Sequence, residues 1–266
     1  MSVPETKSSE ITEKINLLSK QDEISPFEVK ALQRDIDRLK QVSASEAYML
    51  SGMLFSILRD YPQSKSNHEK ALKLSYSPVE LVNFAVSMKR LGRTSEALSL
   101  YFFASELDPA NPRFVSSIIQ LMTFAGDFER YSEALARFQK ANPEFDIQEL
   151  ENIKTVKSVR EHLKSVDIPE SEFKLAGSLV EQVLCEFNVA TKRMREKLTT
   201  FDGVKHVYIE MYVNARDASE LVMINERVVE SLLGDERLTC WDKIVYNVVG
   251  YHHSTDAPPA ESVDAA

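Results

Sequence analysis

Apolar residues recur at intervals of three and four along most of this chain, the spacing of one helix face. Val29, Leu32, Ile36 and Leu39 form one such stripe. Ser25-Pro26-Phe27-Glu28 supplies its start, a capping box with Pro at the first helical position, and predicts a helix to about Val42. Residues 5–19 carry a shorter helix of the same kind. Leu81, Phe84 and Met88 form another stripe, and 34 residues later Val115, Ile118 and Met122 repeat it. Gly92 shifts onto Gly126 and Pro109 onto Pro143 by the same step. After each Gly comes a second helix, which ends at the Pro because Pro cannot continue one. The unit is therefore helix, turn, helix, Pro.

Ala97 and Ala104 lie seven apart, two turns along one face of the second helix, with Tyr101 between them. Small side chains let two helix axes approach, and the aromatic ring fills the adjacent gap. Residues 45–78 read as an earlier, degenerate copy with one residue of slippage. There Asp60-Tyr61-Pro62 replaces the Gly turn, and His68 stands where an aromatic is expected. A helix pair of this size cannot bury its apolar face alone, whereas stacked copies bury it continuously.

Residues 45–143 thus resemble three tetratricopeptide repeats, the middle copy most closely through Leu81-x2-Phe84-Ala85-x2-Met88, Gly92, Ala97-x3-Tyr101, Ala104 and Pro109. The third copy departs with Tyr131, Leu135 and Phe138 where Ala, an aromatic and Ala are usual. The expected fold is mostly α: a solenoid of helical hairpins, capped by residues 1–44 and followed by a small α+β unit. The resemblance implies a concave face, lined by the first helix of each pair, that takes an extended or helical peptide. The positions lining it would be Met49 and Met53 from the first copy, Val82, Asn83, Val86 and Lys89 from the second, and Arg113, Ser116, Gln120 and Thr123 from the third, with Arg90 beside Lys89 at one rim. Some family members clamp a C-terminal carboxylate. Asn83 and Arg113 match two of those clamp positions, but Met49, Met53 and Ser117 do not. An apolar floor with basic rim suits a peptide with apolar anchors and some acidic residues.

The period changes beyond residue 145. Asp146-Ile147-Gln148-Glu149 is a capping box that predicts a helix to about Ser165, with Leu150, Ile153, Leu163 and Val166 inward. A second helix is expected from Glu170 to about Lys197, so that residues 146–199 form a helical extension. Phe201-Asp202-Gly203 is a turn. In residues 207–213 Val207, Ile209, Met211 and Val213 alternate with polar or aromatic neighbours, a half-buried strand. Asp217-x-x-Glu220 caps a helix ending at Gly234 with Leu221, Ile224, Val228, Val229 and Leu232 as its stripe, and residues 243–251 are a second strand. Residues 253–266 read as a disordered tail. Two strands make a poor sheet, so residues 200–252 need either a further strand or an edge supplied by another chain, which makes self-association through these strands a further expectation.

Charge narrows the partners. The formal net charge is −9, and it is uneven: residues 1–145 hold 18 Lys and Arg against 19 Asp and Glu, residues 146–266 hold 14 against 22. An acidic chain without a basic run is a poor ligand for nucleic acid or anionic membrane. The longest apolar stretch, residues 49–58, is too short to cross a bilayer, and the N-terminus lacks a signal-peptide core. Two Cys, Cys185 and Cys240, exclude a disulfide framework and a Cys-based zinc pattern and point to the cytoplasm. No cofactor or metal is expected, since the chain has no Gly-rich phosphate loop, nucleophile elbow or H-E-x-x-H.

The expected function is a non-enzymatic adaptor or chaperone-like protein. A bacterial secretion chaperone, or an immunity or antitoxin protein whose acidic half masks a basic target, are alternatives within the same class. From another class comes a small hydrolase-like or metal-dependent enzyme, using His206, Glu210 and His252 or His253 if the two strands run antiparallel and bring them together.

Overall fold

The computed structural model describes residues 4–21, 23–214 and 217–251. It opens with α1 (Pro4–Leu18) and α2 (Pro26–Lys40), and Ser25 caps α2 by accepting the N–H of Phe27. Three further helix pairs come next: α3 (Ala44–Ile57) with α4 (Tyr61–Leu74), α5 (Pro78–Arg90) with α6 (Thr94–Leu107), and α7 (Pro112–Ala125) with α8 (Phe128–Ala141). Pro occupies the first turn of α2, α4, α5 and α7, where its missing N–H is harmless. Each of the three pairs turns at one residue in the left-handed region: Arg59 (φ 61°), Gly92 (φ 77°) and Gly126 (φ 63°). The two glycines thus sit in equivalent corners, as the repeat requires. In the degenerate copy Arg59 takes this place, and Asp60 caps α4 through the N–H of Gln63 at 3.0 Å.

The hairpins interlock through small residues. Ala97 and Ala104 are fully buried beside Tyr101. The equivalent positions of the first copy hold Ser64, His68 and Ala71, all buried. His68 lies against Gly52 and stacks on Phe84 (ring centroids 4.7 Å apart, planes 12° apart), so it fills the aromatic role. In the third copy Tyr131 and Phe138 are buried instead of two Ala, and Phe138 meets Phe145 edge-on at 5.1 Å. The helices α1 and α2 pack on α3 and share one core with it, in which Ile11, Ile15, Leu32 and Ile36 surround Met49, Leu50 and Met53.

The chain divides into two compact units, Met1–Lys157 and Ser158–Ala266. The break falls inside α9 (Ile153–Ser165), not at residue 145. The helix expected from Asp146 is interrupted. Asp146 caps only a single 3-10 turn, Ile147–Glu149, and Asn152 at φ 64° stands between that turn and α9.

In the second unit α10 (Glu170–Glu186) ends eleven residues short of the expected Lys197, with Asn188 left-handed at φ 53° just beyond it. The next element is a strand, β1 (Thr191–Phe201), which the sequence pattern did not predict. It forms an antiparallel hairpin with β2 (Val204–Asn214) across Asp202-Gly203. Both turn residues have positive φ, 48° and 79°, as the tight two-residue hairpin demands. After β2 comes α11 (Ala218–Leu233), capped by Asp217 through the N–H of Glu220, and it returns the chain to β3 (Ile244–Tyr251). The sheet order is β1-β2-β3, with β3 parallel to β2. The missing strand is thus in the chain itself. Val207, Ile209, Met211 and Val213 are all fully buried on one sheet face. On α11 Ile224, Val228 and Leu232 face inward, but Val229, expected in that stripe, is half exposed. The tail expected over 253–266 lies outside the described residues.

Among the described residues no helix is long and apolar enough to cross a membrane.

Candidate functional site

The first helices of the middle pairs, α5 and α7, present the side chains of interest. Along α5 a stripe of Val79, Val82 and Val86 reaches the surface at intervals of three and four; Val79 is 63% exposed and the other two are half-buried. The stripe ends at Lys89 and Arg90, the last turn of the helix. From α7 come Arg113 and Gln120, both exposed, with Ser116 and Thr123 half-buried between. Direct contacts between α5 and α7 are few, since each packs mainly on α6. The Lys89 ammonium bridges the two by donating to Gln120 Oε1 at 2.6 Å. Neighbouring protein crowds that ammonium, and this burial lowers its pKa even though the residue keeps much surface in water.

Two expected positions fall elsewhere. Met49 is 6% exposed and Met53 3%, so neither lines an open face. The reason is tertiary: α1 packs along α3, and Ile11, Ile15 and Leu18 cover the side of α3 that the repeat alone would leave open. Asn83 sits at the border of this covered region, where its amide donates to Met49 Sδ at 3.2 Å and to the carbonyl of Val79 at 3.0 Å. Val82, Val86, Lys89, Arg113, Ser116 and Gln120 remain as one accessible set on adjacent helices. Arg90 adjoins it but turns back toward α1, donating from Nη2 to Asn16 Oδ1 at 2.9 Å.

Three contributors were not apparent from the sequence. Val79 extends the apolar stripe by a turn, and its spacing to Val82 and Val86 was the available signal. Arg59 donates from Nη1 to the carbonyl of Arg90. No local pattern links residues 31 positions apart, and none links Asn16 to Arg90 either.

The face is cationic in an acidic chain. None of Lys89, Arg90 and Arg113 has a carboxylate within ion-pair distance among the described residues. Elsewhere in this unit some cations are matched, Lys65 to Glu96 at 2.8 Å, Lys14 to Asp35 at 3.7 Å and Arg137 to Glu106 at 3.7 Å, and others lie over aromatic rings, as Arg93 does over Tyr61 at 4.3 Å. Burial lowers the pKa of Arg90, and the nearby Arg59 adds to this.

The residues considered for an enzyme lie apart as far as the structure describes them. His206 and Glu210 are on β2, four residues along the strand. Because β3 runs parallel to β2, its last residue Tyr251 pairs with Asn214, eight residues along β2 from His206. That is roughly 26 Å at the rise of a strand, so the antiparallel convergence does not occur; His252 and His253 themselves lie outside the described residues. Among the described residues no three His, Cys, Asp or Glu side chains converge in a way that holds a metal ion. A different titratable pair, His162 and Glu196, links α9 to β1 with Nδ1 2.7 Å from Oε1.

No family model matches the chain, and no curated protein is significantly similar to it in sequence.

Proposed function

We propose that this chain is a non-enzymatic polypeptide-binding protein, an adaptor or chaperone, whose stacked hairpins are tetratricopeptide repeats and whose α5–α7 face receives a segment of another protein. One observation carries the reading: a valine stripe that stays at the surface runs into Lys89 and Arg90, with Arg113 on the next helix of the face, and these cations lack carboxylate partners among the described residues. Apolar side chains of a bound segment lose water against Val79, Val82 and Val86. Acidic side chains of the same segment neutralise Lys89, Arg90 and Arg113. The binding face is shorter than the repeat alone implies, since α1 already occupies the first copy. Cys185 and Cys240 form no disulfide among the described residues, in keeping with a cytoplasmic setting.

The test is capture from an extract of the native cells with the full chain as bait, wild type against the double variant V86E/K89E. Proteins held by the wild type should be lost from the variant, with helicity by circular dichroism unchanged. Equal capture by both would rule out this face.

A further inference from the structure

Arg90 stands where three helices end or pass. Arg59, the left-handed corner residue after α3, sends Nη1 to the carbonyl of Arg90. That contact has a structural purpose, because it satisfies the last carbonyl of α5. It also holds two guanidinium groups at one corner. Asn16 Oδ1 fixes one arm of the Arg90 fork at 2.9 Å. The other arm, Nη1, is buried and meets no acceptor among the described residues.

Other arginines of this unit do not share that condition. Arg93 and Arg137 each carry a buried Nε without an acceptor. Yet Arg93 lies over the Tyr61 ring at 4.3 Å, and Arg137 reaches Glu106 at 3.7 Å. Arg90 has neither ring nor carboxylate among the described residues. A buried charged donor left unmade is unfavourable, and an acceptor brought from outside relieves it. The negative end of the helix dipole opposes any anion here, the double charge of a phosphate more than the single charge of a carboxylate. The unmet N–H beside an ordered fork suits a carboxylate oxygen, which reaches the buried Nη1 by displacing the side chains that cover it.

We infer that Arg90, oriented by Asn16 and braced by Arg59, reads one Asp or Glu side chain of the bound polypeptide, about one helical turn from the residue that sits on Val86. This rests on the proposed α5–α7 face and adds to it a fixed position and a chemical identity for one ligand residue.

The experiment selects binders to the full chain from a random 12-residue peptide library. The best peptide and its counterpart with the acid changed to Asn or Gln are then titrated by fluorescence anisotropy against wild type, Arg90→Gln and Arg90→Lys. Selected peptides should share an acid at one fixed distance from an apolar residue. R90Q should weaken the acidic peptide on the order of tenfold and leave the amide peptide unchanged, with R90K intermediate because it keeps the charge and loses the fork. Unchanged helicity and thermal midpoint show that the variants are folded, and R90K serves if R90Q is not. Peptides that V86E/K89E abolishes but that carry no common acid, or equal losses of both peptides in R90Q, overturn the inference and leave the binding face standing. Failure to select any peptide whose binding V86E/K89E abolishes overturns both.

Discussion

A Cβ added to Gly52 would stand 2.4 Å from Cδ2 of His68, far inside contact distance. The glycine is therefore present for space: it makes room for an imidazole in the place that Tyr101 takes in the next hairpin. His68 is 1% exposed, bonds Ser87 Oγ at 2.8 Å through Nε2, and stacks on Phe84. Gly52→Ala should lower unfolding stability by about 2 kcal/mol, measured by urea titration. The double variant with His68→Ala should recover part of that loss, because the clash partner is gone. Burial also pushes the His68 pKa down from 6.5 to about 3. The folded chain then binds fewer protons than the unfolded one between those values, so this contribution is present above about pH 6.5 and is lost as pH falls toward 3. The loss amounts to at most about 1.4 kcal/mol per pH unit in that window. His68→Phe, compared with wild type by urea midpoints at about pH 7.5 and pH 5, on either side of the ordinary imidazole pKa, should show a shallower fall in stability on acidification.

Among the elements, β3 carries eight uncharged residues, whereas the opposite edge β1 carries Lys192, Arg193, Arg195, Glu196 and Lys197. Charges on β1 discourage pairing with another chain. On β3 the side chain of Asn225 does this instead: it donates to the Val248 carbonyl and accepts the Val248 N–H, each at 2.8 Å. Both groups of one residue point to the same side of a strand, so the amide closes the outer edge at its centre. The strand pairing between copies that the sequence suggested would have to displace it. Asn225→Leu should promote concentration-dependent dimers in analytical ultracentrifugation, while wild type stays closer to monomer. The charges of β1 also explain why it was not legible. They fall on both faces, so no alternation marks a strand, and Met194 with Leu198, four apart, continues a helical period from α10. The legible signal was Asp202-Gly203, a hairpin turn with residues of equal number available on either side, which fixes a partner strand before β2.

Across the whole molecule, the net charge of −9 makes the cationic face a local exception, and capture there should weaken as salt rises. Raising ionic strength from about 50 to about 500 mM, which shortens the screening length severalfold, should reduce affinity for the selected acidic peptide more than for its amide counterpart. The helix pairs were legible because their period, caps and corner glycines agree with one another. Met49 and Met53 were placed wrongly because α1 covers them, and a contact between residues so far apart in the chain leaves no mark on local spacing. Arg59 and Asn16 were missed for the same reason. One consequence concerns dissection of the protein. The apolar side of α9 carries Val156, Val159 and Leu163, all buried, and the boundary between the units passes between the first and second of these. A cut at that boundary therefore severs one helix through its greasy stripe, and fragments separated between Lys157 and Ser158 should be aggregation-prone.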